Sequence, residues 1–278
     1  MTTTNHLDPD WISALSIIKK QADHLDIPFM VIGASARDIL LDASNISPIR
    51  ATRDVDLAIE IANWERFGEL KAALIETKSF KPDKAMQRVI FEDHLPIDLV
   101  PYGAIETNAE ISWPPDHVIL MSVAGMTDVF DASLSLPITN SPEALDINVA
   151  SSTGIALLKL LAWESRKASI TKDAEDLYFL IRHYIDLGNQ ENLQTNHEDL
   201  FDDIDTAHAR LLGRDLLALC SPQTLSTVKT ILDRETDDSN ESVLVRNMLP
   251  RHADSNQASQ CRALLIAIRT ELSGVNPS

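Results

Sequence analysis

Asp54 and Asp56 stand two apart in Arg53-Asp54-Val55-Asp56-Leu57-Ala58-Ile59-Glu60. Val55, Leu57 and Ile59 alternate with them, so the segment reads as a strand whose carboxylates share one face while its aliphatic side chains enter the core. Two anions side by side repel, and a divalent cation between them removes the repulsion. A lone pair of this kind also occurs at solvated strand ends without any ligand. Asp98 adds to it: in Leu95-Pro96-Ile97-Asp98-Leu99-Val100 a carboxylate sits within a strand otherwise suited to burial, and such a charge requires a partner or a metal. Upstream, Gly33-Ala34-Ser35-Ala36-Arg37-Asp38 follows the apolar run 29–32 and opens a helix, where backbone N–H groups and the Ser35 hydroxyl would face an incoming phosphate. A phosphate turn and three strand aspartates are the parts needed for phosphoryl transfer assisted by two metal ions. One ion would hold a triphosphate and the other would lower the pKa of an attacking hydroxyl.

The elements that must position these residues follow from periodicity. Trp11, Leu15, Ile18 and Ala22 recur at helical spacing over 11–25, ahead of the short strand 29–32. Gly33 closes that strand, and Ser35 is placed to cap a helix running through Leu41. The stretch 44–53 reads as an irregular connection. A second amphipathic helix fits 64–77, strands fit 88–92 and 96–100, and 110–139 reads as further sheet and loop, with alternating segments at 118–121 and 129–136. Beyond about residue 150 the pattern becomes helical, over 151–167, 171–184, 206–219, 222–232 and 258–272, with acidic connections at 187–205 and 233–241. The expected fold is α+β: residues 1–150 form a mixed sheet flanked by helices that carries the chemistry, and 151–278 form an all-helical domain that completes the cleft.

The segments GASARDILL, TRDVDLAIE and PIDLV together resemble the nucleotidyltransferase superfamily that includes DNA polymerase β and the CCA-adding enzymes. Its pattern is a Gly-Gly or Gly-Ser turn at a helix start, a Dx[DE] on the next strand and a third acidic residue on a neighbouring strand. The resemblance implies that Gly33 and Ser35 approach the triphosphate of an NTP. It also implies that Asp54 and Asp56 hold two Mg²⁺ or Mn²⁺ ions, while Asp98 completes the second site and assists the acceptor hydroxyl. Ala34 departs from the pattern by putting a methyl where backbone usually approaches phosphate. Within the superfamily the second half is most similar to the AbiEii-type abortive-infection and type IV toxin group, in which a helix with a Lys and a following Arg precedes an (R/K)DxxDL segment. This chain has Leu158-Lys159-Leu160-Leu161-Ala162-Trp163-Glu164-Ser165-Arg166, then Lys172-Asp173-Ala174-Glu175-Asp176-Leu177. By that resemblance Lys159 contacts phosphate and Asp176 organises the active site, supported by Arg166 and Asp173. A toxin role further implies a neutralising partner protein.

Simpler readings compete at several of these positions. Lys159, Trp163 and Arg166 form one stripe on an otherwise apolar helix, so Lys159 needs an anion, which Asp173 or Asp176 could supply as well as a nucleotide. Asp173 suits the first turn of a helix capped by Thr171, and Arg166 suits a helix C-terminus. Trp163 reads as packing, and Arg37 and Arg53 as local ion-pair partners.

Composition excludes other classes. The 278 residues carry 24 Lys and Arg against 42 Asp and Glu, a net charge of −18, which repels phosphate polymers and anionic membranes. A long RNA acceptor would therefore need a locally basic groove, for which Arg50, Arg53, Lys84, Arg88, Lys167 and Lys172 are the candidates. Two cysteines cannot build a disulfide framework or a zinc site, and the start MTTTNHLDPDW has no leader pattern, so a cytoplasmic location is expected. The eight histidines lack metal-ligand spacing, no serine-hydrolase elbow or P-loop occurs, and Met86, Met121 and Met126 read as core fillers. Besides nucleotidyl transfer, two readings remain. One is a catalytically weakened nucleotide-sensing or partner-binding module that Ala34 would permit; the other is a metal phosphohydrolase using the same carboxylates.

Overall fold

Val55, Leu57 and Ile59 are fully buried, as a half-exposed strand of period two requires, and their strand lies at the centre of a mixed sheet. The computed structural model describes residues 7–44, 54–138 and 145–274. The chain divides into two compact units, Met1–Ser151 and Ser152–Ser278. In chain order the first unit runs α1 (Pro9–His24), β1 (Phe29–Ile32), α2 (Gly33–Ala43), β2 (Val55–Glu60), α3 (Trp64–Glu76), β3 (Phe80–Pro82), β4 (Arg88–Phe91), β5 (Leu95–Tyr102), β6 (Glu110–Trp113), β7 (Ile119–Ser122), α4 (Met126–Asp131), β8 (Leu134–Pro137) and β9 (Asp146–Val149). Among the described residues the main sheet has strand order β3-β4-β5-β2-β1-β9-β8, and β6 and β7 form a separate hairpin. Neighbours pair antiparallel except β2 with β5 and β1 with β9, which are parallel. The first helix begins on an Asp8 cap followed by Pro9, buries Trp11, Leu15 and Ile18, and packs against α3.

The second unit contains α5 (Ser152–Arg166), α6 (Lys172–Arg182), α7 (Gln190–Asn196), α8 (Ile204–Leu219), α9 (Pro222–Glu235), α10 (Val243–Met248) and α11 (Ser255–Glu271). A buried polar link joins three parts of it: the Tyr184 hydroxyl lies 2.6 Å from Thr153 Oγ1 and donates to Asp215 Oδ2 at 2.6 Å. Gly213 lets α8 and α11 approach closely, since a Cβ there would stand 2.6 Å from the Ile268 carbonyl oxygen. Beside it, the buried Glu271 accepts from Arg210 Nε and Arg214 Nε, both at 2.7 Å. Among the described residues no helix is long and apolar enough to cross a membrane.

Several expectations are corrected. The helix after β1 starts at Gly33, so Ser35 lies within its first turn and is not its cap. The segment 129–136 divides into the end of α4 and strand β8, because a short apolar run does not distinguish the two periods. The acidic stretch 187–205 contains α7 and a 3₁₀ turn over Glu198–Asp202 that bury Leu193 and Leu200. In 233–241, α9 continues to Glu235, whose buried carboxylate accepts from Arg234 Nε, the Ser242 hydroxyl and the Leu244 N–H. Only Met126 of the three methionines is buried; Met86 is exposed and Met121 half-exposed. Most of the connection 44–53, with Arg50 and Arg53, lies outside the described residues.

Candidate active site

Strand pairing brings the carboxylates together. Ile32 of β1 stands opposite Asp56 of β2, Asp56 beside Asp98 of β5, and Asp98 opposite Arg88 of β4. One row across four strands therefore carries Ile32, Asp56, Asp98 and Arg88. Asp54 immediately precedes β2, two residues from Asp56 and so on the same side. One oxygen from each of Asp54, Asp56 and Asp98 lies within 4.8 Å of the others, and all three residues are half-buried. Hard oxygen donors at this spacing suit Mg²⁺ or Mn²⁺.

The turn after β1 is built around Asp56. Gly33 has φ +66°, and a Cβ there would lie 2.6 Å from Asp56 Oδ2, so both the backbone conformation and the close approach exclude a side chain. Ser35 is fully buried. Its hydroxyl donates to the Ile32 carbonyl at 2.9 Å and accepts from the Asp56 N–H at 3.2 Å. The Ser35 hydroxyl thus faces into the fold and ties the start of α2 to β2. Arg37 Nη2 pairs with Asp38 Oδ1 at 2.7 Å, the local ion pair read from the sequence.

Asp98 finds a partner in Arg88. The guanidinium donates from Nε to Oδ1 and from Nη2 to Oδ2, each at 2.7 Å. Stranding a buried charge by removing its partner costs about 3–5 kcal/mol, and Asp98, 16% exposed, comes close to that case. The sequence placed Arg88 only as a candidate groove cation. A hairpin in which Phe91 opposes Leu95 also sets Arg88 opposite Asp98, and counting back from the Glu92-Asp93-His94 turn would have found the pair.

The second unit gathers the other expected residues. Lys159 Nζ on α5 donates to Asp176 Oδ2 at 2.6 Å and to Asp173 Oδ1 at 3.2 Å, and Arg166 Nε donates to Asp173 Oδ2 at 2.7 Å. Burial pushes the Asp173 carboxyl up, but the Arg166 hydrogen bond and the charges of Lys159 and Arg166 outweigh it and hold the group below the usual carboxylate range. Lys159 thus has its anions from α6. Thr171 stands at the helix start without a side-chain cap bond. Trp163 is fully buried and Lys167 Nζ lies 5.3 Å from its ring centroid, so it packs and does not present a stacking face. Of the proposed basic lining, Arg88 and Lys167 are engaged by Asp98 and Glu164.

The sequence profile described as nucleotidyl transferase AbiEii toxin of a type IV toxin-antitoxin system matches residues 47–258, more than half of the chain. A match of that length defines the class of enzyme, a nucleotidyltransferase. The chain belongs to the AbiEii family. No curated protein matches it. Among solved structures, that of the antibiotic-resistance factor ANT(2'')-Ia is 15% identical and covers 70% of this chain and 97% of its own, with a TM-score of 0.36. JHP933 from Helicobacter pylori is 16% identical over 97% and 96% of the two chains, TM-score 0.34. The Thermotoga maritima CCA-adding enzyme complexed with tRNA is 14% identical over 95% and 70%, TM-score 0.35. Likeness at this level says nothing about this chain's substrate.

Proposed function

We propose that the chain transfers a nucleoside monophosphate from an NTP to a hydroxyl acceptor in a metal-dependent reaction. The observation that carries this reading is the meeting of three carboxylate oxygens within 4.8 Å beside a glycine turn that leaves no room for a side chain against Asp56. Asp54 and Asp56 would hold both cations, Mg²⁺ or Mn²⁺, and Asp98 would complete the second position and draw the proton from the acceptor hydroxyl. When bound, the cations supply charge for the triphosphate and acidify that hydroxyl. The acceptor oxygen forms a bond to the α-phosphorus, the bond from that phosphorus to the bridging oxygen of the β-phosphate breaks, and pyrophosphate leaves. Gly33 keeps the turn open for the triphosphate, while Ser35 serves by holding Asp56. In the second unit Lys159 is assigned to phosphate and Asp176 to holding Lys159, with Asp173 and Arg166 supporting. The acceptor is an RNA end, a protein side chain or a small molecule. A toxin role, a neutralising partner protein and a cytoplasmic setting belong to the same reading.

The test is to incubate the protein with each labelled NTP, Mg²⁺ or Mn²⁺ and a cell extract. Label on RNA, protein or a small molecule together with pyrophosphate supports transfer and identifies the acceptor class. Nucleotide binding without pyrophosphate favours the second reading, a nucleotide-sensing or partner-binding module, for which Ala34 in the turn is the specific observation. Release of inorganic phosphate instead identifies a phosphohydrolase.

A further inference from the structure

The hairpin β6–β7 is anchored through one strand and bare on the other. Ile111 and Trp113 of β6 are buried, and the Trp113 ring centroid lies 5.1 Å from that of Trp64 and 5.9 Å from that of Phe67, both on α3. Val118, Ile119 and Leu120, at the start of β7, are 75%, 66% and 61% exposed, a contiguous aliphatic patch where scattered single residues are the norm. Ile119 stands opposite Trp113 and Leu120 opposite Ser112, so aliphatic groups reach solvent on both faces of the strand. Among the described residues β7 pairs with β6 alone, which directs every second N–H and C=O of β7 outward along an open edge. Exposed edges are commonly guarded by lysine, yet residues 89–158 hold ten Asp and Glu and no Lys or Arg. Glu110, at the start of β6, and Asp116, in the turn, are both exposed. The cations of α3, Arg66 and Lys71, are turned to Glu69 and to the Met86 carbonyl.

We propose that β7 is a docking edge for a basic, extended segment of another protein, which joins the hairpin as a third strand. Main-chain hydrogen bonds to the open edge hold the segment, and its alternate apolar side chains cover Ile119 and Leu120. Its Lys or Arg side chains meet Glu110 and Asp116 at the two ends of β6. Charge selects this occupant: nucleic acid, an anionic lipid surface and a second copy of this chain all carry the sign of the hairpin itself. The packing of Trp113 on α3 fixes the edge before the segment arrives, so little ordering of the hairpin is needed on binding.

The experiment uses the full chain and a fluorescein-labelled peptide of alternating Lys and Val, followed by fluorescence anisotropy, with amide hydrogen exchange to locate the peptide. Wild type should bind it, more weakly as salt is raised, and the amides of β7 should gain protection. The same peptide methylated on two adjacent central nitrogens, so that neither of its edges can pair, should lose affinity about tenfold or more, and an alternating Glu and Val peptide should not bind. Ile119→Ser/Leu120→Ser should weaken binding about tenfold by removing exposed apolar area without touching the core. Asp116→Lys, which changes charge alone, should weaken it severalfold and carries the test if the serine variant fails to fold. Phe201→Ser/Ile204→Ser, a change at exposed apolar residues of the second unit, should leave it unaltered. Absence of binding to wild type overturns the proposal, as does equal binding by wild type and the two β7-side variants, which marks general attraction to an acidic protein. Protection confined to residues outside the hairpin overturns it too. A concentration-dependent dimer of the free protein, or its sedimentation with phosphatidylglycerol vesicles, that is lost in Ile119→Ser/Leu120→Ser overturns the choice of occupant in favour of a second copy or a membrane.

Discussion

At the scale of single residues, Gly33 and Asp56 form one device. The left-handed backbone at Gly33 costs a residue with a side chain about 1–2 kcal/mol, and a new Cβ 2.6 Å from Asp56 Oδ2 must also displace the carboxylate. Gly33→Ala should therefore lower the turnover of NTP far more than it lowers the melting temperature, measured side by side as pyrophosphate release and thermal unfolding. A large loss of stability with proportionate loss of activity would assign Gly33 to the fold alone. Asp54→Ala and Asp56→Ala should each abolish transfer, and Asp54→Ala should leave the metal-free protein as stable as wild type or more so, because repulsion between neighbouring carboxylates is relieved. A double variant that still transfers at the wild-type rate removes these residues from the reaction. The shared face of Asp54 and Asp56 was legible in strand alternation, and their meeting with Asp98 was expected from the resemblance to the nucleotidyltransferases. The inward turn of Ser35 was not, because a serine in the first helical turn can bond either backbone or ligand, and only the placement of β2 behind it decides.

At the scale of elements, α5 and α6 are held together by Lys159, Arg166, Asp173 and Asp176. A carboxyl whose folded pKa is depressed contributes stability that is complete above its unfolded pKa, near 3.8 for Asp173, and is lost as pH falls through the lower folded value. Arg166→Ala removes the hydrogen bond that chiefly opposes the effect of burial. It should shift the acid-unfolding midpoint to higher pH, as followed by far-UV circular dichroism, and an unmoved midpoint would show that Arg166 does not stabilise the Asp173 carboxylate. A second contact is purely steric: Gly213→Ala would bring a Cβ to 2.6 Å from the Ile268 carbonyl oxygen and 2.9 Å from Glu271 Cβ. Overpacking of this kind costs about 1–3 kcal/mol, which denaturant unfolding would detect. Long helices with a steady apolar stripe, such as α1 and α11, were readable from sequence. The short α4, α7 and α10 were not, since six or seven residues hold too little period to separate helix from strand or turn.

At the scale of the whole molecule, the carboxylate trio belongs to one unit and the Lys159 cluster to the other. If both take part in transfer, a fragment ending at Ser151 should bind Mn²⁺ as tightly as the full chain and yet release no pyrophosphate from NTP. A fragment that transfers at the full-chain rate would remove Lys159 and Asp176 from the reaction. The net charge of −18 made one negative conclusion available from composition, that sequence-blind RNA binding is disfavoured. It could not identify the acceptor, because charge summed over a chain does not describe one cleft.

The parallel pairing of β2 with β5 sets Asp56 beside Asp98 and Ile97 beside Val55. Since neighbouring side chains alternate between faces, losing or gaining one residue in the turn before β5 would carry Asp98 to the opposite surface and bring an aliphatic group into its place. Relatives that retain this chemistry should therefore vary freely in aliphatic identity along β5 yet keep the distance from turn to aspartate constant. Length, more than side-chain type, is the coordinate that evolution has least freedom to change here.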